Sequence, residues 1–181
     1  MPGYILTGAP GAGKTAVLRL LEINGHDVVE EAATDTIALD HALGHEEPWR
    51  DHGFTDKIVA LQQQRQKHVR AADAVVFFDR SPVCTLALSR YAGRTPSPLL
   101  AAEVERVVAE GVYEEAVFFI RNQGFVQATA ARRISFEDSL VFERIHEQAY
   151  RDLGFHLIEV PAGPLTDRVA LIEQTVERLR R

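Results

Sequence analysis

Eight consecutive residues near the start of the chain have types and spacing suited to binding phosphate. Gly8-Ala9-Pro10-Gly11-Ala12-Gly13-Lys14-Thr15 fits the pattern G-x-x-x-x-G-K-[ST] at every fixed position. Glycines let a backbone curl until its N–H groups converge on phosphate oxygens. A helix that follows such a loop adds its positive end. Lys14 supplies a compact charge for the β- and γ-phosphates of ATP, and the Thr15 hydroxyl is a ligand for Mg²⁺. A threonine at position 16 would add a second hydroxyl, but none is expected to act there, so the binding set closes at Thr15: residue 16 is Ala16. The only other lysines are Lys57 and Lys67, and the remaining strongly basic residues are arginine, so Lys14 stands out.

Carboxylates and arginines farther along supply the rest of a transfer site. Val75-Val76-Phe77-Phe78 is an apolar run that ends in Asp79. In an open α/β sheet, ligands sit at the carboxyl ends of strands, so Asp79 is expected to face the same crevice as the glycine-rich loop. It can hold Mg²⁺ through a water or take a proton from an acceptor hydroxyl. The competing role, capping the next helix, suits Ser81 better. Arg80 follows directly, as a phosphate or acceptor ligand or as one half of a structural ion pair. Glu30 and Glu31 end the run Asp27 to Glu31. Strand alternation turns one of them inward, which makes Glu31 the rival base. Arg132 and Arg133 precede a helix starting near Ser135. Positive charge is mildly unfavourable at a helix start. As part of a lid over about residues 122–134, the pair would neutralise the transferring phosphoryl group and exclude water. Arg121 is a weaker candidate that would serve equally in an ion pair. His41 and His45 lack a third ligand, so no metal site is expected there. Trp49 and Phe54 suit core packing better than an acceptor wall.

These residues need a scaffold that brings strand ends together, and the pattern of the chain provides one. Short apolar runs alternate with amphipathic stretches, which predicts a parallel sheet with helices on both faces. Strands are expected at Tyr4 to Thr7, Asp27 to Glu31, Ala74 to Phe78, Ala116 to Ile120 and His156 to Val160. Helices are expected from about Lys14 to Ile23, Thr36 to Leu43, Phe54 to Ala72, Pro82 to Tyr91, Ser97 to Gly111, Ser135 to Gly154, and from a Thr166 cap to the C-terminus. The fold class is therefore α/β, a P-loop NTPase three-layer sandwich with a five-stranded parallel sheet and a small lid, in a single domain over residues 1–181.

Composition narrows the partners. The 181 residues are 46% hydrophobic and 25% charged, with a net charge of −6. A protein that coats nucleic acid or anionic lipid would usually be basic. Cys84 is the only cysteine, so no intrachain disulfide forms. No apolar run approaches the roughly 18 residues of a membrane span, and the first residues lead straight into a strand pattern. The expected location is the cytoplasm.

Together, Gly8 to Thr15, the Val28 to Glu31 strand end, Asp79-Arg80, Arg132-Arg133 before Ser135, and Gly154 to Pro161 resemble the small AAA-domain, ATPase-like P-loop proteins related to ribosylnicotinamide kinase. Asp79-Arg80-Ser81 is similar to the Asp/Glu-Arg pair of nucleoside and nucleotide kinases, where the arginine holds phosphate or acceptor. The resemblance implies ATP and Mg²⁺ as cofactors and a small-molecule acceptor with a hydroxyl or phosphate. A GTPase would need a guanine reader of the N-K-x-D type, which is absent. A hexameric AAA+ motor would carry a Glu after the strand-end Asp, where Arg80 stands. Two functions stay open at this point: a small-molecule kinase, or an ATPase or nucleotide-dependent switch without such an acceptor.

Overall fold

The computed structural model describes residues 3–69, 74–124 and 135–181. Along the chain run β1 (Gly3–Thr7), α1 (Lys14–Ile23), β2 (Asp27–Val29) and α2 (Ala32–Ala42). A 3₁₀ turn at Pro48–Arg50 leads to α3 (Phe54–His68), β3 (Val76–Asp79), α4 (Pro82–Tyr91) and α5 (Pro98–Ala109). β4 (Ala116–Ile120), α6 (Phe136–Asp152), β5 (His156–Val160) and α7 (Leu165–Leu179) complete the described chain. The strands lie in the order β2-β3-β1-β4-β5, and every neighbouring pair is parallel.

Strands of a parallel sheet are covered on both faces and so read as unbroken apolar runs. β1, β3 and β4 do so here, with Ile5, Leu6, Val76, Phe77, Phe118 and Phe119 all inaccessible to solvent. The two-residue alternation sorts them into two cores. Leu6, Phe77 and Phe118 pack with Val17 and Leu21 of α1 and Ile172 of α7. Ile5, Val76, Phe78 and Val117 pack with Val83 of α4 and Ala149 and Tyr150 of α6. The result is the expected three layers. At the carboxyl ends, Leu6 of β1 is in register with Asp79 of β3, which brings the loop after β1 beside the acid.

Helix starts follow the serines. The Ser81, Ser97 and Ser135 hydroxyls accept from the backbone N–H groups of Val83, Leu100 and Asp138. Ser135 also donates to the Asp138 carboxylate at 2.8 Å. Several boundaries differ from the sequence expectation. β2 stops at Val29, because Glu31 leaves the strand to become the N-cap of α2, which starts four residues earlier than expected. α3 ends at His68 because Val69 turns extended, at ψ 117°; Ala72, its expected end, lies outside the described residues. β3 extends through Asp79 itself. α7 starts at Leu165 after Pro164, which leaves Thr166 inside the first turn rather than at the cap. Among the described residues no helix is long and apolar enough to cross a membrane.

Candidate nucleotide and acceptor site

The phosphate loop is held by close backbone packing. Gly8 has φ +137°, and a Cβ there would lie 2.3 Å from the Ile120 carbonyl oxygen at the end of β4. No other residue type fits that combination. Gly13, also at positive φ, is the N-cap of α1, so Lys14 and Thr15 form the helix's first turn. Lys14 is buried, and its Nζ donates to the carbonyls of Gly8 at 3.2 Å and Ala9 at 3.1 Å. Burial, with Arg80 adding to it, lowers its ammonium to about 8, while Asp79 and Glu31 act in the opposite direction. Ala9 and Ala12 are buried beneath the loop, and Thr15 is exposed. Position 16 is no part of the ligand set. It holds Ala16 rather than a threonine, exposed in the same first turn of α1, and a methyl side chain has no oxygen to offer phosphate or metal.

These features fit ATP and Mg²⁺. The loop takes positive φ at Gly8, Gly11 and Gly13, and its Lys14 ammonium rests on two loop carbonyls. The Thr15 hydroxyl and the Asp79 carboxylate are the hard oxygen donors that Mg²⁺ prefers.

A second set of charges meets this loop. Asp79, 5% exposed, ends the strand beside β1. Arg80 is the only non-glycine residue with positive φ among the described residues, at +73°. Such a conformation costs of order 1–3 kcal/mol and persists only where surrounding contacts impose it. The contacts are specific. The Arg80 backbone N–H donates to Leu6 O at 3.0 Å. Its Nε donates to the Glu31 carboxylate, and its Nη1 lies 3.3 Å from Nε2 of His146. Burial alone would raise the Glu31 carboxyl, but Arg80 and Lys14 outweigh it and hold the group down at about 2. Glu31 is therefore ionised at any physiological pH. Its other oxygen accepts from the Thr34 hydroxyl at 2.7 Å.

The structure thus brings together Lys14, Thr15, Glu31, Asp79 and Arg80 of the sequence-predicted set, while Glu30 turns outward to Arg19. Arg132 and Arg133 lie outside the described residues. Arg121 takes the ion-pair role: it binds Glu143, Glu147 and Glu159 and lies over the Phe119 ring. Trp49 and Phe54 pack in a core with Ala32 and Ile58. Arg65 bonds to Asp35 and to the Glu30 carbonyl. Cys84 is buried, with its sulfur 3.1 Å from both the Thr7 and Tyr150 hydroxyls.

Two residues of this region escaped the sequence. His146 is fully buried on α6, with Nδ1 3.0 Å from the Phe142 carbonyl one turn back. Burial and the Arg80 charge push its pKa well below the ordinary value. Arg168, on α7, reaches behind the phosphate loop and donates to Ala12 O at 2.8 Å and Arg121 O at 3.4 Å. With the Gln123 amide oxygen turned toward it, Gln123 accepts from both Nη1 and Nη2. The helical spacing of both residues marks a buried face, but nothing in it names their partners.

The fold has well-matched counterparts of low sequence identity. The deoxyadenosine kinase of M. mycoides, solved with dCMP and dCDP, superposes with a TM-score of 0.61 at 14% identity, over 98% of this chain and 99% of that one. The same enzyme with bound dATP gives the same values over 100% of its chain. The NadR protein in complex with NAD and AMP-PNP gives a TM-score of 0.68 at 14% identity. That match covers 97% of this chain and 49% of NadR, so the chain spans about half of NadR's length. No curated protein sequence matches it. A family model described as an AAA domain matches residues 3–168, nearly the whole chain. The kinship anticipated from the phosphate loop and the strand-end acids is borne out: the chain belongs to this AAA-domain family, and its fold is shared with these two kinds of protein.

Proposed function

We propose that the protein is an ATP-dependent kinase that moves the γ-phosphate onto a hydroxyl of a small, nucleoside-like acceptor. The observation that carries this reading is the Glu31–Arg80 pair, partly buried beside the phosphate loop at the carboxyl ends of the strands. A kinase needs a base that stays deprotonated and an arginine that stays charged. The structural neighbours were solved with nucleotides bound, and one is a deoxynucleoside kinase.

In this reading the N–H groups from Gly8 to Thr15 and the Lys14 ammonium hold the phosphates. Thr15 and Asp79 hold Mg²⁺, which when bound neutralises charge on the β- and γ-phosphates. Glu31 takes the proton of the acceptor hydroxyl. Arg80 keeps Glu31 ionised and offers its Nη2 donors, which take part in neither of its two contacts, to the transferring group. Arg132 and Arg133 close over that group as the lid. Assigning the base to Glu31 rather than Asp79 follows from their settings: Glu31 stands at a helix N-cap and is 20% exposed, whereas Asp79 is buried against the loop that holds the phosphates.

The test is a panel of ribo- and deoxyribonucleosides and nucleotides incubated with Mg²⁺ and γ-labelled ATP. Label on a nucleoside hydroxyl supports the proposal. Release of labelled phosphate alone, with every acceptor unlabelled, replaces it with the ATPase or switch reading.

A further inference from the structure

We infer that His146 is a positioning residue for phosphoryl transfer: its Nε2 accepts a hydrogen bond from Arg80 and, opposite Glu31, fixes the plane of the guanidinium. The proposal rests on the kinase reading for its consequence in turnover, but not for the contact itself.

The argument starts from the imidazole. His146 is 0% exposed, so both ring nitrogens need partners within the protein. Nδ1 faces the Phe142 carbonyl at 3.0 Å. A carbonyl only accepts, so Nδ1 carries the proton, and Nε2 of a neutral ring is then an acceptor. Nε2 faces Arg80 Nη1 at 3.3 Å, and a guanidinium only donates. Both contacts demand the same tautomer. The charged groups acting on the ring are Arg80 after β3, Lys14 on α1 and Glu31 at the start of α2; the two cations disfavour an imidazolium and the carboxylate favours it. Burial reinforces the neutral form.

The contact also accounts for the backbone of Arg80. A residue at φ +73° keeps that conformation only where surrounding contacts impose it. Glu31 grips Nε, His146 grips Nη1 from the other element, and Leu6 O holds the backbone N–H. The Nη2 donors are thereby kept at a set angle to Glu31. His146 ties this arrangement to α6, the helix that follows residues 125–134.

The experiment has an arm that needs no turnover. Long-range ¹⁵N–¹H spectra at pH 7, with His146 assigned by its loss in His146→Gln, should show the neutral Nδ1–H tautomer. An Nε2–H tautomer or an imidazolium has no acceptor at Nε2, and either would overturn the proposal. In the same samples, exchange of the Arg80 Nε–H should quicken in His146→Leu and stay near wild type in His146→Gln, whose amide oxygen reaches about as far as Nε2. Unchanged exchange in His146→Leu also overturns it. For turnover, deoxyadenosine and Mg²⁺-ATP serve as the probe. His146→Leu should lower kcat about 10- to 100-fold, the scale of a misplaced catalytic group. The KM for ATP should move little, and His146→Gln should recover most of the loss. Equal losses in both variants mean a packing role only and refute positioning. Absence of turnover in the wild type counts against the kinase reading, while the tautomer and exchange results still decide the contact.

Discussion

The glycine-rich loop and the Glu31, Arg80 and His146 cluster, which the proposed function makes the phosphate side and the acceptor side, hold their charges by different means. The phosphate side is eight consecutive residues, shaped by glycine conformations, with its lysine on two carbonyls of its own loop. The acceptor side takes Glu31, Arg80 and His146 from positions 49 and 66 residues apart. A backbone device depends on space, so it fails when a side chain is added. A network of side chains depends on charge, so it fails when a charge is removed while shape is kept. Different substitutions should therefore damage the two sides in different ways.

The largest effect belongs to the acceptor side. Glu31→Gln keeps the shape and removes the base, and kcat should fall about 10²- to 10⁴-fold. Binding of a fluorescent ATP analogue should change far less, since the phosphate loop carries it. The control is Asp79→Asn, which should show its loss as a raised Mg²⁺ requirement. If Asp79→Asn alone removes turnover at saturating Mg²⁺, the base is Asp79 and the comparison between the two sides must be redrawn.

The phosphate side should break through space. Gly8→Ala places a methyl group on the Ile120 carbonyl at a φ that alanine resists. A loss of roughly 3 kcal/mol in denaturant unfolding is expected, from overpacking and backbone strain together. Gly25→Ala is the comparison: its φ of +96° is also unfavourable, but no atom lies within 4 Å of the new methyl. It should cost only about 1 kcal/mol. Equal losses at the two sites would show that the contact with β4 is not what the glycine is for.

Lys14→Ala tests the one side chain on which the phosphate side relies. ATP affinity should fall at least tenfold, about 1.4 kcal/mol, with the circular dichroism spectrum retained. Unchanged affinity and turnover would remove the phosphate loop from the site.

The smallest effect is a proton. In the free protein Lys14 titrates at about 8 because it is buried beside Arg80. Bound phosphates favour the charged form, so nucleotide binding above that pH must take up a proton, and affinity must fall as pH rises through 8 and beyond. Calorimetry in buffers of different ionisation enthalpy should give a larger proton uptake by Lys14 at pH 9 than at pH 7. Lys14→Arg should abolish the uptake at pH 9, because a guanidinium does not deprotonate there. Glu31 behaves in the opposite sense. Held down at about 2, it contributes stability that is present above the ordinary carboxylate range and lost only as pH falls toward 2.

Much of this arrangement is legible without coordinates. Apolar runs identify all five strands, and the serine caps at Ser81, Ser97 and Ser135 mark three helix starts. The misreadings are local competitions. Glu31 reads as a strand end, yet its φ of −64° and ψ of 124° make it an N-cap, a conformation that an extended residue shares until the next turn forms. Arg121 reads equally as a site candidate and as an ion-pair partner. Three glutamates on α6 and β5 decide for the ion pair, two of them brought to β4 by the same helix one turn apart.

By itself the sequence determined the glycine-rich loop and the layered sheet. Both rest on local rules: glycine freedom within one loop, and the periods of strand and helix. Only the tertiary structure decided which charges meet. Glu31 with Arg80, Arg80 with His146 and Arg168 with Ala12 are pairings across the fold, and an arginine in a sequence does not state its partner. The physical reason is that charge interactions depend on distance and burial, and both are set by packing of elements far apart in the chain.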